Sequence, residues 1–139
     1  MQGRGPGLRY LLLFSIGFLC LDRAMRTHHP LSLMMIDLDY FKNLNDACGH
    51  PCGDRCLVDV AAALRGGAAR RVDLVARNGG EEFAVILPAT SREDTEAVAA
   101  QIPEAVRALK IRNETQIGGF LSIRIGIASY AFPEAGGAD

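Results

Sequence analysis

Three acids in this chain could do chemistry if folding brings them together: Asp37, Glu81 and Glu82. The two glutamates stand in RNGGEEFAVIL (Arg77 to Leu87), directly behind Gly79 and Gly80 and just ahead of an apolar run. Glycine weakens a strand and acids are depleted from strands, so the pattern marks a turn that something approaches closely, with something positive on the carboxylates. Carboxylates on rigid elements make a hard-cation site, and Mg²⁺ (or Mn²⁺) suits a few protein oxygens completed by substrate phosphates. A pair of such ions can clamp the attacking and leaving oxygens of a phosphoryl transfer. Gly79 and Gly80 would leave room for a nucleotide against the turn. The plainer alternative is a polar hairpin tip whose acids are simply solvated.

Placing those acids requires strands on either side of a helix. PLSLMMIDLD (Pro30 to Asp39) has the length and apolar content of a buried central strand, and it delivers Asp37 at its carboxyl end. The next stretch, to Gly53, is polar and punctuated by Gly49, Pro51 and Gly53, which predicts a loop with a short helical turn. From Asp54 to Arg65, Leu57, Val60, Ala61 and Leu64 follow the period of an amphipathic helix, with Asp54 as N-cap and Gly66-Gly67 as its stop. Arg71–Asn78 and Glu82–Pro88 read as two strands of a hairpin. Ser91 opens a second helix with Asp94 as its box-like partner, and Pro103 should kink or split it. Gly118–Ser129 reads as the last strand. The order strand, helix, strand, strand, helix, strand is the split βαβ arrangement of a ferredoxin-like, α+β sandwich fold. In it the first strand and the hairpin can lie side by side, bringing Asp37 near Glu81 and Glu82.

Composition narrows the partners. The chain has 139 residues, enough for one domain, and 49% of them are hydrophobic, so a substantial core can form. A net charge of -1 argues against a nucleic-acid polymer as partner. Cys48, Cys52 and Cys56 recur every four residues beside His50, but Pro51 and Gly53 interrupt a shared helical face and no C-x-x-C spacing occurs. They read as small apolar fillers of a reduced, cytoplasmic protein rather than zinc ligands. YLLLFSIGFLCL (Tyr10 to Leu21), behind Arg4 and Arg9, mimics the start of a signal peptide. It is short for a bilayer span, so a packing helix is the simpler reading, with membrane attachment as the alternative.

Two motifs carry a family resemblance. Gly79-Gly80-Glu81-Glu82-Phe83 resembles the signature of the GGDEF family of diguanylate cyclases in its GGEEF form. IDLDYFKNLNDACGHPCGD (Ile36 to Asp54) is similar to that family's D-x-D-x-F-K-x-x-N-D-x-x-G-H-x-x-G-D. The resemblance runs from Pro30 to Ser129 and implies a palm-like nucleotidyl cyclase fold. It divides the chain into a divergent, helical segment 1–29 and a GGDEF domain 30–139 without the usual C-terminal helix.

By that resemblance, Asp37, the Leu38 carbonyl and Glu82 hold the metal, and Glu81 assists metal binding or deprotonation of a 3′-hydroxyl. Lys42 and the backbone at Tyr40 and Phe41 contact the GTP phosphates, and Asn45 and Asp54 read the guanine edge. RRVD (Arg70 to Asp73) resembles the family's R-x-x-D inhibitory site, with Arg70 and Asp73 contacting cyclic di-GMP. The implied activity joins two GTP into cyclic di-GMP with release of two pyrophosphates, in a homodimer. The alternative is a GGDEF module that binds GTP or cyclic di-GMP without turnover. One departure stands out: RIGIA places Arg124 where the family pattern has serine.

Overall fold

The computed structural model describes residues 6–67, 74–77 and 79–132. The chain runs α1 (Pro6–Thr27), β1 (Leu31–Leu38), α2 (Phe41–Cys48), α3 (His50–Gly67), β2 (Leu74–Arg77), β3 (Glu82–Pro88), α4 (Arg92–Ala108) and β4 (Ile123–Tyr130). The four strands form one sheet in the order β2-β3-β1-β4, and every neighbouring pair is antiparallel. This is the ferredoxin-like α+β arrangement, with α1 ahead of it and the first crossover built from two helices, α2 and α3.

β1 is central because its residues alternate. Ser32, Met34, Ile36 and Leu38 are buried on one face, while Leu31, Leu33, Met35 and Asp37 point to the other. Met34, Ile36 and Leu38 meet Phe83, Val85 and Leu87 of β3, and α3 and α4 close over them with Leu57, Val60, Leu64, Ile102 and Val106. Burying each such side chain contributes roughly 1.5–3 kcal/mol. Ser32 is the polar exception in that row, and its hydroxyl donates to the Thr90 carbonyl at 2.9 Å and meets Ser129 Oγ at 2.7 Å.

Four sequence expectations shift. α3 begins at His50 rather than Asp54, so Asp54 lies inside the helix and is not its cap. Pro51 is tolerated because first-turn N–H groups have no helical acceptor. Gly53 is required by packing: a Cβ there would overlap Asn45 Oδ1 of α2. α4 is not split at Pro103 but runs on to Ala108. β4 starts at Ile123, because Gly118 and Gly119 take positive φ and the chain ahead of the strand forms an isolated bridge between Arg112 and Phe120. The N-cap expected at Ser91 is present, its Oγ accepting from the Asp94 N–H at 3.1 Å.

The segment ahead of β1 is the helix α1, which touches β1 and β3, buries Ala24 and leaves Phe18, Leu19 and Met25 exposed. Among the described residues no helix is long and apolar enough to cross a membrane.

Candidate active site

The turn between β2 and β3 is built by its glycines. Gly79 and Gly80 have φ of 95° and 50°, in the left-handed region where an L side chain is penalised by about 1 kcal/mol or more. Two bonds fasten the turn: the Glu82 N–H donates to the Gly79 carbonyl at 3.0 Å, and Arg77 Nε donates to the Gly80 carbonyl at 2.9 Å. A Cβ on Gly80 would meet nothing within 4 Å, so the turn's outer surface is open.

At the strand ends the sheet register sets a row of charges. Asp37 of β1 is the direct partner of Glu82 on β3 and of Arg124 on β4. Directly opposed residues put their side chains on one face, so Glu82, Asp37 and Arg124 line up across three strands. The Leu38 N–H donates to the Glu81 carbonyl at 3.1 Å, tying the turn to the end of β1. Arg124 Nη2 lies 3.6 Å from Asp37 Oδ2, while Asp37 Oδ1 is buried and has no hydrogen-bond partner among the described residues. A buried carboxylate oxygen with no donor is costly unless something fills the place. A cation beside Asp37 and Glu82 would fill it. Among the described residues no group of three acids, histidines or cysteines is close enough to hold an ion. The protein donors are therefore few, the situation in which Mg²⁺ completes its shell with water and phosphate. The residues present fit such an ion.

Beyond β1 the chain turns sharply. Tyr40 adopts a left-handed φ of 54° and starts α2, whose first N–H groups and the exposed Lys42 follow immediately. Free N–H groups at a helix start suit an anion. The Tyr40 carbonyl accepts from Leu44 N at 3.1 Å and from Asn113 Nδ2 at 3.2 Å, so this corner is held from two sides. Further along α2, Asn45 Nδ2 donates to His50 Nδ1 at 3.0 Å, and among the described residues its buried Oδ1 has no partner. Asp54 is exposed on α3 and lines a groove of about 420 Å³ with Leu57, Arg65, Val75, Arg77 and Phe83.

Several contributors escaped the sequence reading. Asp39 accepts from Arg124 Nε at 2.8 Å and from Ser122 Oγ at 2.7 Å. Gln116 Nε2 bonds Ser122 Oγ in turn. The signal for Asp39 is its place as the second acid of the D-x-D-x-F-K pattern, two residues beyond Asp37. Arg124 could be matched to them only by counting register.

The cysteine reading needs correction. Cys48 and Cys52 are joined as a disulfide across the α2–α3 corner, with Cα atoms 5.7 Å apart, and both are exposed. They are not apolar fillers. The chain leaves α2 at Cys48, turns at Gly49 with φ 91° and enters α3 at His50, and this corner brings the pair within bonding reach. Cys56 is buried, as a filler would be. Arg70 and Asp73, the expected inhibitory pair, lie outside the described residues.

Residues 19–137 match the family "Diguanylate cyclase, GGDEF domain". The chain belongs to the GGDEF domain family. The match begins inside α1 and takes in every element that follows. This GGDEF domain is similar to diguanylate cyclase A of Treponema denticola, with 42% identity over 102 residues, covering 73% of this chain and 27% of that protein. It is also similar to diguanylate cyclase TpbB of Pseudomonas aeruginosa, with 40% identity over 116 residues, covering 79% of this chain and 26% of that protein. The GGDEF domain thus spans about a quarter of the length of these curated relatives. Among solved structures, the active GGEEF domain of a diguanylate cyclase from Vibrio cholerae aligns with a TM-score of 0.73 and 28% identity, covering 84% of this chain and 72% of that one. The GGDEF domain of DgcB from Caulobacter crescentus, solved in complex with c-di-GMP, aligns with a TM-score of 0.69 and 27% identity, covering 80% of this chain and 66% of that one.

Proposed function

We propose that this GGDEF domain is the catalytic domain of a diguanylate cyclase. It joins two GTP molecules into cyclic di-GMP and releases two pyrophosphates. The observation that carries the proposal is the pairing of Asp37 with Glu82 in sheet register, together with the unpartnered Asp37 Oδ1. Asp37, Glu82 and the Leu38 carbonyl hold Mg²⁺ or Mn²⁺. Such an ion, when bound, offsets charge on the triphosphate as a Lewis acid.

The chain's own residues do the rest. The start of α2 receives phosphate through the Tyr40–Phe41 backbone and Lys42. Asn45 and Asp54 read guanine, an amide and a carboxylate matching its donor and acceptor edge. Gly79 and Gly80 let the nucleotide lie against the turn. Glu81 helps draw the proton from the 3′-hydroxyl. That hydroxyl attacks the α-phosphate of the facing GTP, forming the new ester as pyrophosphate departs. Because one domain offers one such set of residues, two domains face each other as a homodimer. Product returns to the Arg70–Asp73 segment and inhibits. The complex of the Caulobacter crescentus GGDEF domain with c-di-GMP supports dinucleotide binding in this family.

The test is direct. With GTP and Mg²⁺, pyrophosphate and cyclic di-GMP should appear together. Glu82→Ala should reduce both by on the order of 100-fold or more, the scale of several kcal/mol of charge stabilisation. Undiminished product from that variant, folded by circular dichroism, would refute the metal role. Arg70→Ala should weaken binding of cyclic di-GMP and leave GTP binding in place; unchanged dinucleotide affinity removes the inhibitory site.

A further inference from the structure

We propose that Arg124 is a positioning residue that serves as a resident counter-ion of the cation site, keeping nucleotide-free affinity for the divalent ion low. The inference rests on the metal reading of Asp37 and Glu82.

Arg124 is held more closely by Asp39 than by Asp37. Its Nε lies 2.8 Å from Asp39 Oδ1, whereas Nη2 stands 3.6 Å from Asp37 Oδ2. Asp39 is itself fixed, since its second oxygen accepts from Ser122 Oγ at 2.7 Å and its N–H donates to the Ser122 carbonyl at 2.9 Å. Its side chain is 17% exposed against 38% for Asp37. One arm of the guanidinium is therefore anchored on a satisfied, mostly buried carboxylate. The other arm stands over the outer oxygen of Asp37.

Two consequences follow. Asp39 and Asp37 both face the guanidinium and Glu82 stands beside Asp37, so one positive charge is set among three carboxylates and offsets part of their repulsion while no ion is present. It also lies against Oδ2 of Asp37 and leaves Oδ1, buried and without a partner among the described residues, for an ion to engage. That ion then meets a fixed positive charge that cannot lose its proton. A bare divalent ion binds weakly against it. An ion arriving with a triphosphate brings the negative charge that cancels the penalty. Arg124 thereby couples loading of the ion to loading of the nucleotide.

Manganese titration of the nucleotide-free protein, read by electron paramagnetic resonance of free Mn²⁺, tests this without turnover. Arg124→Ser should bind Mn²⁺ more tightly by roughly three- to tenfold, the size of a screened charge interaction at this range. Arg124→Lys, which keeps the charge and loses the fork, should stay near the unmodified protein. Asp37→Asn should abolish the site in either background. Affinity unchanged or weakened in Arg124→Ser overturns the inference alone, since a merely structural role would not tighten binding. If neither the unmodified protein nor Arg124→Ser binds Mn²⁺ in an Asp37-dependent way, the metal reading falls and takes the inference with it.

Discussion

Burial pushes the Cys56 thiol up to about 11, and the nearby charge of Asp59 pushes it the same way. The sign of the consequence is definite. The unfolded thiol ionises near 9.0, while the folded one holds its proton to about 11. The folded state therefore binds the proton more tightly, and the associated stability is complete below about pH 9 and lost as pH rises through that window. Urea unfolding at pH 8 and at pH 10.5 would measure it. The stability advantage of the unmodified protein over Cys56→Ala should shrink at the higher pH, and a pH-independent difference would contradict it. The same protonation makes Cys56 inert to alkylating reagents at pH 8 in the folded protein, because the thiolate is the nucleophile.

Residue identities were the most legible level of this chain, and their partners the least. Asp37 at a strand end and Glu82 at a turn could be read as neighbours, because the element order leaves β1 and the hairpin few ways to pair. Arg124 stands out in the sequence as a departure from the family pattern, but nothing there names its partner. Its contact with Asp39 depends on where β4 starts, and the two glycines ahead of it had been counted into the strand. A shift of one residue in that register would have turned Arg124 to the opposite face. The disulfide is illegible for a related reason: Pro51 and Gly53 read as helix breakers, which hides the start of α3 at His50 and the corner at Gly49 that brings Cys48 and Cys52 together.

Helix breaking is a question for whole elements, and α4 gives it a measurable form. Pro103 stands in the interior of Arg92–Ala108, with a full turn of helix still to follow. It has no N–H to offer the Ala99 carbonyl, and its ring crowds that carbonyl. The helix persists because its buried face, Thr95, Ala99, Ile102 and Val106, is packed into the core. Tertiary packing overrides propensity here. Pro103 itself is exposed, so replacing it disturbs no core contact. Pro103→Ala should raise stability, by up to ~3 kcal/mol on the helix scale. Thermal unfolding followed at 222 nm should show a higher midpoint; a lower one would mean that the proline stabilises the fold through some other contact. α3 shows the same principle at its start. Its first turn accepts a proline and a glycine because neither lacks anything the position needs, and the glycine admits Asn45.

At the scale of the whole molecule, sheet order and charge decide what the fold can do alone. The order β2-β3-β1-β4 brings the turn acids and the end of β1 to one edge. A single domain presents one Asp37–Glu82 pair and one Asn45, and the proposed joining of two GTP molecules would use two of each. With a net charge of only -1, no strong self-repulsion opposes the pairing of two copies. The proposed reaction then requires an encounter of two loaded domains, so turnover per domain must depend on how many are paired. At saturating GTP, a dilution series should show specific activity rising with protein concentration, by up to twofold per doubling where monomer dominates, and levelling off once pairing is complete. Adding folded, inactive Glu82→Ala protein to a fixed amount of unmodified protein should lower the rate, because mixed pairs hold only one competent half. Specific activity constant over a hundredfold dilution down to nanomolar protein, with no inhibition by the inactive partner, would show that one domain completes the reaction unaided and would overturn the face-to-face arrangement.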